Sequence, residues 1–291
     1  MVSEATARET CSQSSAVTQL DRDIYALEAS GFALIPHFID DAEIDTFLEQ
    51  YATYQEEVDA FASGGGDLLN KTGWPIKSAR AAWAVSQEVQ DVIMDERLQA
   101  YARGYLKDPL LRDCQFLANM PDERNAKRGG DSKVSYHRDK YWEGEPTFSD
   151  YLWCFLLLDD MTPENGGTIV VPGTHRMREP GYYFLENDPG EVISSNDYLV
   201  YDRRYFASAI QVTARKGTLL MFDPMVIHTQ SVNISPVPRR VLNVLFHRRG
   251  LPGIMNCRAI AENHARLPVR DDLLKLLSSD SDKPENYGPL S

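Results

Sequence analysis

His137 and Asp139 stand two residues apart in the run Ser135–Tyr136–His137–Arg138–Asp139. In an extended strand, residues i and i+2 project from one face, so an imidazole and a carboxylate stand side by side at a strand end. Two such groups do not close a metal site. A third ligand must come from elsewhere in the chain, and His228, in Met225–Val226–Ile227–His228–Thr229, is the candidate. Two histidines and one carboxylate form the facial ligand set of non-haem Fe(II) oxygenases, which leaves metal positions open. A His-x-Asp pair alone is common by chance, and its plain reading is a surface histidine beside an aspartate. The context adds weight. Eleven residues after His228 comes Arg239, at the head of the strand-like run Arg240–His247. A buried guanidinium can fork onto a carboxylate through two parallel hydrogen bonds. Arg240 is a rival for that role, and since strand neighbours point to opposite faces only one of the two can serve.

The elements that must position these residues fall into two groups. The front of the chain is helical. Leu20–Ser30 reads as a short helix ended by Gly31, followed by a buried strand at Phe32–Ile35. Asp40 with Glu43 three residues later is a helix-start signature, and Ile44, Phe47, Leu48 and Tyr51 continue at helical spacing. Ala60–Gly66 reads as a loop, and Ala84–Leu106 as mostly helical. Beyond about residue 110 the segments become short, β-branched and aromatic. The expected strands are Asp113–Asn119, Val134–His137, Tyr151–Leu158, Gly167–Val171, Ile210–Thr213, Thr218–Phe222, Val226–Val232 and Arg240–His247. That density points to a β-sandwich or barrel. Met177–Ser208 follows no simple period and is expected to be a lid-like insert. Residues 1–19 are expected to form a disordered leader, 20–277 a single domain and 278–291 a polar tail.

Composition narrows the function. The 291 residues are 43% hydrophobic and 25% charged, ordinary globular values. Lys and Arg number 30 against 43 Asp and Glu, a net charge of −13. Such a chain repels phosphate backbones, so no nucleic-acid partner is expected. Cys11, Cys114, Cys154 and Cys257 are scattered without a Cys-x-x-Cys pair, as in a reduced, cytoplasmic protein. No apolar run is long enough to span a membrane, and the Ser/Thr/Ala-rich start lacks the apolar stretch of a signal peptide. Oligomeric state is not legible.

Three stretches resemble one known family. They are His137–Arg138–Asp139, the run Met161–Thr162–Pro163–Glu164–Asn165–Gly166–Gly167 leading to Val171–Pro172–Gly173–Thr174–His175, and His228 through Pro238–Arg239. The opening from Gly31 to Ile44 is also similar. With these, the chain over roughly residues 20–250 resembles the phytanoyl-CoA dioxygenase family of Fe(II)- and 2-oxoglutarate-dependent oxygenases. The resemblance implies a mainly β fold with flanking helices, a cupin-like double-stranded β-helix or jelly roll. It implies His137, Asp139 and His228 as iron ligands, and Arg239 as partner of the distal carboxylate of 2-oxoglutarate. Asn119 sits where the family places an asparagine facing that cosubstrate, with Gln115 four residues earlier and Thr168 as further candidates. Phe155 matches a position that carries an aromatic near the cosubstrate, with plain core as the alternative.

The implied activity is oxidation, by default hydroxylation, of a small organic molecule, with O2 consumed and succinate and CO2 released. An intermediate of natural-product chemistry suits a stand-alone domain with an aromatic insert. Desaturation, cyclisation, epoxidation and endoperoxide formation stay open. Halogenation is disfavoured, because Asp139 fills the position a halide would need. Tyr182, Tyr183 and Phe184 in the insert and Trp142 near the metal strand are candidates for substrate contact, with packing as the alternative. Trp153 is expected in the core, with a pocket wall as the alternative, and Arg178, Arg203 and Arg204 in solvent, with an anionic substrate group as the alternative. His175 is expected to be structural, His247 a rim residue, and His37 and His264 ordinary surface or packing residues. Two rival functions use the same scaffold. A Zn-dependent hydrolase would give Arg239 no role, and a non-catalytic binding domain would have no need of an intact triad.

Overall fold

Side-chain alternation along the strands separates two cores, and that separation builds the site. The computed structural model describes residues 17–63, 76–121, 136–139, 150–177, 197–199, 207–251, 257–263 and 265–279. Its strands are β1 (Phe32–Ile35), β2 (Ile76–Arg80), β3 (Pro109–Asn119), β4 (His137–Asp139), β5 (Tyr151–Leu157), β6 (Thr168–Val171), β7 (Asp197–Leu199), β8 (Ile210–Gln211), β9 (Leu219–Phe222), β10 (Ile227–Gln230) and β11 (Arg239–Arg248). The helices are α1 (Gln19–Ser30), α2 (Asp41–Ser63), α3 (Gln87–Ile93), α4 (Glu96–Leu106), α5 (Cys257–Asn263) and α6 (Asp271–Leu274). A six-stranded sheet has the order β1-β9-β5-β11-β3-β2, and a five-stranded sheet the order β7-β4-β10-β6-β8. Neighbouring strands in both are antiparallel. This is the expected jelly roll, mainly β with helices on one side.

Along β11, Leu242, Val244 and Phe246 join Phe116, Cys154, Leu156 and Met221 under the helices, packed by Leu27, Phe47, Leu98 and Tyr105. Val241 and Leu245 face the other way and pack with Leu157, Val170, Leu220 and Phe222, residues of both sheets. Arg239 and Asn243 share that inward face by their spacing. Burying a Leu- or Phe-sized side chain contributes about 1.5–3 kcal/mol, so each face strongly resists a one-residue slip of register.

The helix-start signature at Asp40 holds in the structure. Asp40 and Glu43 exchange bonds, Glu43 N donating to Asp40 Oδ1 at 2.9 Å and Asp40 N to Glu43 Oε2 at 3.0 Å. Helix α2 extends to Ser63, into the stretch expected to be loop. The 84–106 segment is two helices, because Asp95 caps a fresh start, its Oδ1 accepting from Arg97 N at 2.8 Å. Strand β2 is absent from the expected strands: Ile76–Arg80 lacks clear alternation, and its pairing with β3 defines it. Strand β7 lies inside the aperiodic segment and pairs with β4. The remaining insert residues, 178–196 and 200–206, lie outside the described residues, as do residues 1–16 and 280–291. No described helix is long and apolar enough to cross a membrane. Cys114, Cys154 and Cys257 are free thiols, all buried.

Candidate metal centre

β4 and β10 lie side by side with His137 opposite His228, which brings the two imidazoles together, ring centroids 4.4 Å apart. Asp139, two residues on, turns the same way. Its Oδ1 is 3.4 Å from His137 Nε2 and 3.7 Å from His228 Nε2. One ligand atom from each of the three residues falls within 4.8 Å of the others. The backbone fixes this arrangement: Asp139 N donates to Pro224 O at 3.0 Å, in the turn that leads into β10. Asp223 shapes that turn, accepting from Met225 N at 2.7 Å and from Tyr105 Oη at 2.5 Å.

The protonation state of His228 suits a cation. His228 Nδ1 lies 2.8 Å from the Val226 carbonyl, which can only accept, so Nδ1 carries the proton and the Nε2 lone pair faces Asp139. Burial, with His137 alongside, pulls the His228 pKa down to about 4 against the pull of Asp139, so the ring is neutral at pH 7. Asp139 Oδ2 accepts from Trp153 Nε1 at 2.7 Å.

Arg239 lies at the head of β11, opposite Asn119 at the end of β3. It is 2% exposed, and its Nε and Nη1 have no hydrogen-bond partner among the described residues. Nη2 donates to Gln230 Oε1 at 3.3 Å. Burial lowers the Arg239 pKa to about 10, opposed by Asp159, so the group remains a cation. A buried charge with open donors is costly unless an anion joins it. Arg240 points away and forks onto Asp159 through Nε at 2.8 Å and Nη2 at 2.7 Å. The two arginines are thus separated as their strand parity requires.

The other candidates divide. Thr168 is buried in β6 opposite Gln230, on the side facing Arg239. Asn119 is buried, and its Nδ2 donates to Gly166 O at 3.2 Å and Ser231 O at 3.3 Å, tying two loops beside Arg239. Gln115 is buried on the inward face opposite Asn243, whose Oδ1 has no partner among the described residues. Phe155 meets Phe222 edge to face at 4.9 Å, and Phe222 lies 5.0 Å from the His228 ring. Trp142, Tyr182, Tyr183, Phe184, Arg178, Arg203, Arg204 and His264 lie outside the described residues.

His175 is structural: its Nε2 meets Glu28 O at 3.0 Å in the last turn of α1. His247 corrects the reading as a rim residue. It is fully buried and stacks on Tyr151, centroids 6.2 Å apart at 20°. The polar flanks Arg248 and Arg249 concealed the fact that its parity matches inward-facing Leu245. Sequence reasoning missed Gln230, Asn243 and the link from Trp153 to Asp139. The signal present was parity: Trp153 is two residues from Phe155, and Asn243 four from Arg239.

A cluster of two histidines and one carboxylate, with a buried arginine whose donors are open on the same jelly roll, could hold a metal ion beside an anion. The family model for phytanoyl-CoA dioxygenase matches residues 27–241. The chain belongs to the phytanoyl-CoA dioxygenase family, and it is an Fe(II)/2-oxoglutarate-dependent dioxygenase by class. An ectoine dioxygenase of Nocardia farcinica (strain IFM 10152) is 25% identical over 235 residues, covering 76% of this chain and 75% of the relative. Among solved structures, the non-haem α-ketoglutarate-dependent carbocyclase SnoK from nogalamycin biosynthesis superposes with a TM-score of 0.60 at 17% identity. It covers 92% of this chain and 93% of its own. HygX from Streptomyces hygroscopicus, solved with nickel and 2-oxoglutarate, has a TM-score of 0.58 at 16% identity, covering 87% and 95%. At these identities the two structures speak for the fold.

Proposed function

We propose that this dioxygenase hydroxylates a small organic molecule, an intermediate of natural-product chemistry, at a metal held by His137, Asp139 and His228. The donor set fits Fe(II): two imidazole nitrogens and a carboxylate oxygen, with other positions left open. Arg239 supports the choice of cosubstrate. Its guanidinium has open donors at Nε and Nη1, and Nη2 makes one long bond to Gln230, so an edge of two parallel N–H groups can be offered to the distal carboxylate of 2-oxoglutarate. Thr168, Asn119 and Gln115 line the inward face on the same side, and are assigned to the cosubstrate pocket with it. When bound, iron with 2-oxoglutarate supplies O2 activation coupled to oxidative decarboxylation, yielding succinate and CO2.

The chain's own residues bind, orient and shield. His228 offers one nitrogen because the Val226 carbonyl holds the proton on the other. Phe155, Phe222 and Trp153 form an apolar wall that keeps water from the ligands, with Trp153 edge to face on Phe155 at 5.5 Å. A natural-product substrate draws support from similar folds whose structures are named for nogalamycin biosynthesis and for hygromycin B as a bound ligand. Tyr182, Tyr183, Phe184 and Trp142 are assigned to substrate contact on their position in sequence alone.

The observation that carries the reading is the buried, unsatisfied Arg239 beside an intact triad. The test is 2-oxoglutarate titration of the purified protein loaded with Ni(II). One equivalent should bind, with affinity sharply reduced in Arg239→Ala and retained in Arg240→Ala. Equal retention in both variants would remove Arg239 from the cosubstrate site.

A further inference from the structure

Asp139 sits on a strand of three residues, and its side-chain direction is set from outside that strand. β4 meets β10 through one pair, His137 with His228, and Asp139 N adds the bond to Pro224 O. Neither fixes the torsion of the carboxylate. Trp153 reaches it from the opposite sheet. It lies on β5, between β9 and β11, with Phe222 and Leu245 as its strand partners. Its indole crosses the interior and donates its single N–H to Asp139 Oδ2 at 2.7 Å. The other oxygen, Oδ1, is thereby turned to the imidazole nitrogens at 3.4 and 3.7 Å. The indole is itself held, 9% exposed and edge to face on Phe155. Phe155 packs on Phe222, and Phe222 on His228.

We propose that Trp153 is a positioning residue for the metal centre: its indole N–H holds Asp139 Oδ2 so that Oδ1 alone is offered with His137 and His228. This rests on the triad reading above. The six-stranded sheet, buttressed by the helices, thus sets the orientation of a ligand carried by the smaller sheet. Bonds to the outer atoms of a metal ligand fix its orientation, and their loss lowers metal affinity about 10–100-fold.

The test is Co(II) binding by calorimetry on the full chain, alongside thermal melting of the apo protein. Trp153→Phe keeps an aromatic ring and removes the donor. Where Phe leaves too large a void, 3-benzothienylalanine at position 153 keeps the fused ring and still lacks N–H. Cys154→Ala loosens the same strand from its other face, where Cys154 packs beneath the helices. Co(II) affinity should fall about 10–100-fold with either donor-less residue in a folded protein, and should be unchanged in Cys154→Ala. Unchanged affinity in a folded Trp153 variant would overturn the positioning role and leave the triad standing. An equal fall in Cys154→Ala would reduce Trp153 to general packing and also overturn it. Absence of Co(II) binding by the unaltered protein would overturn the triad and this proposal together.

Discussion

Arg239 and Arg240 are neighbours with the same charge and opposite circumstances. Arg239 is buried with open donors, and Arg240 is paired with Asp159 at the edge of the helix layer. Arg239→Ala should weaken 2-oxoglutarate binding by about 3–5 kcal/mol, because a carboxylate would be left buried without its partner. Arg240→Ala should leave that affinity alone and lower stability by about 1 kcal/mol, since the Arg240–Asp159 pair is partly exposed. Titration and denaturant melts of both variants separate the two effects. In the sequence, parity says only that one of these arginines can face inward, and the eleven-residue offset from His228 favours Arg239. Trp153 was less legible: sequence shows that it shares a face with Phe155, but not that the indole crosses to Asp139. His175 gives a pH test. Burial lowers its pKa below the usual 6.5, against the Glu28 carbonyl, with Arg176 and Arg138 adding to the fall. The unfolded chain then binds the proton more readily, so this contribution is complete above about pH 6.5 and is lost as pH falls towards the folded value. His175→Gln should flatten the fall in melting temperature below pH 6.5, and an unchanged profile would assign that acid sensitivity to other groups.

At the scale of elements, the loop between β5 and β6 shows why a motif has its residues. Gly166 has a φ of +80°, and a Cβ built there would lie 1.9 Å from Asn119 Nδ2 and 3.0 Å from Ser231 O. The glycine permits the close approach by which Asn119 bonds Gly166 O. Gly166→Ala should therefore destabilise the fold by about 1–3 kcal/mol and displace Asn119. Denaturant midpoints measure the first effect, and a fall in 2-oxoglutarate affinity the second. Thr174 also ties segments together. Its Oγ1 donates to Val171 O at 2.7 Å and accepts from Ile227 N at 2.8 Å, locking β6 to the start of β10. β5, β9 and β11 were legible because their side chains alternate between two cores, whereas the strand expected at Val134–His137 is described at His137–Asp139. β2 and β7 were not, since a short edge strand is defined by the neighbour it pairs with rather than by its own pattern. The break at Met94–Asp95 lies within a continuous apolar periodicity, and only the cap on Asp95 reveals it.

For the whole molecule, the candidate metal centre joins parts distant in sequence. β4 and β10 carry the three candidate ligands, β5 holds one carboxylate oxygen, and α4 braces the turn through Tyr105 and Asp223. Ligand binding should stabilise this assembly by mass action. At a hundred times the dissociation constant the gain is about 2.7 kcal/mol, or a rise of several degrees in melting temperature. Ni(II) with 2-oxoglutarate should produce that rise in the unaltered protein and not in His228→Ala. The class of chemistry was legible because a few residue types at fixed offsets carry it. The substrate was not, because its contacts depend on how distant loops converge. The central claim is tested most directly by succinate formation from 2-oxoglutarate under air, with and without Fe(II). The unaltered protein should release succinate and CO2 in equal amounts only when Fe(II) is present, and His137→Ala, Asp139→Ala and His228→Ala should each release none while remaining folded. Succinate formed at an undiminished rate by any one of the three would contradict the account.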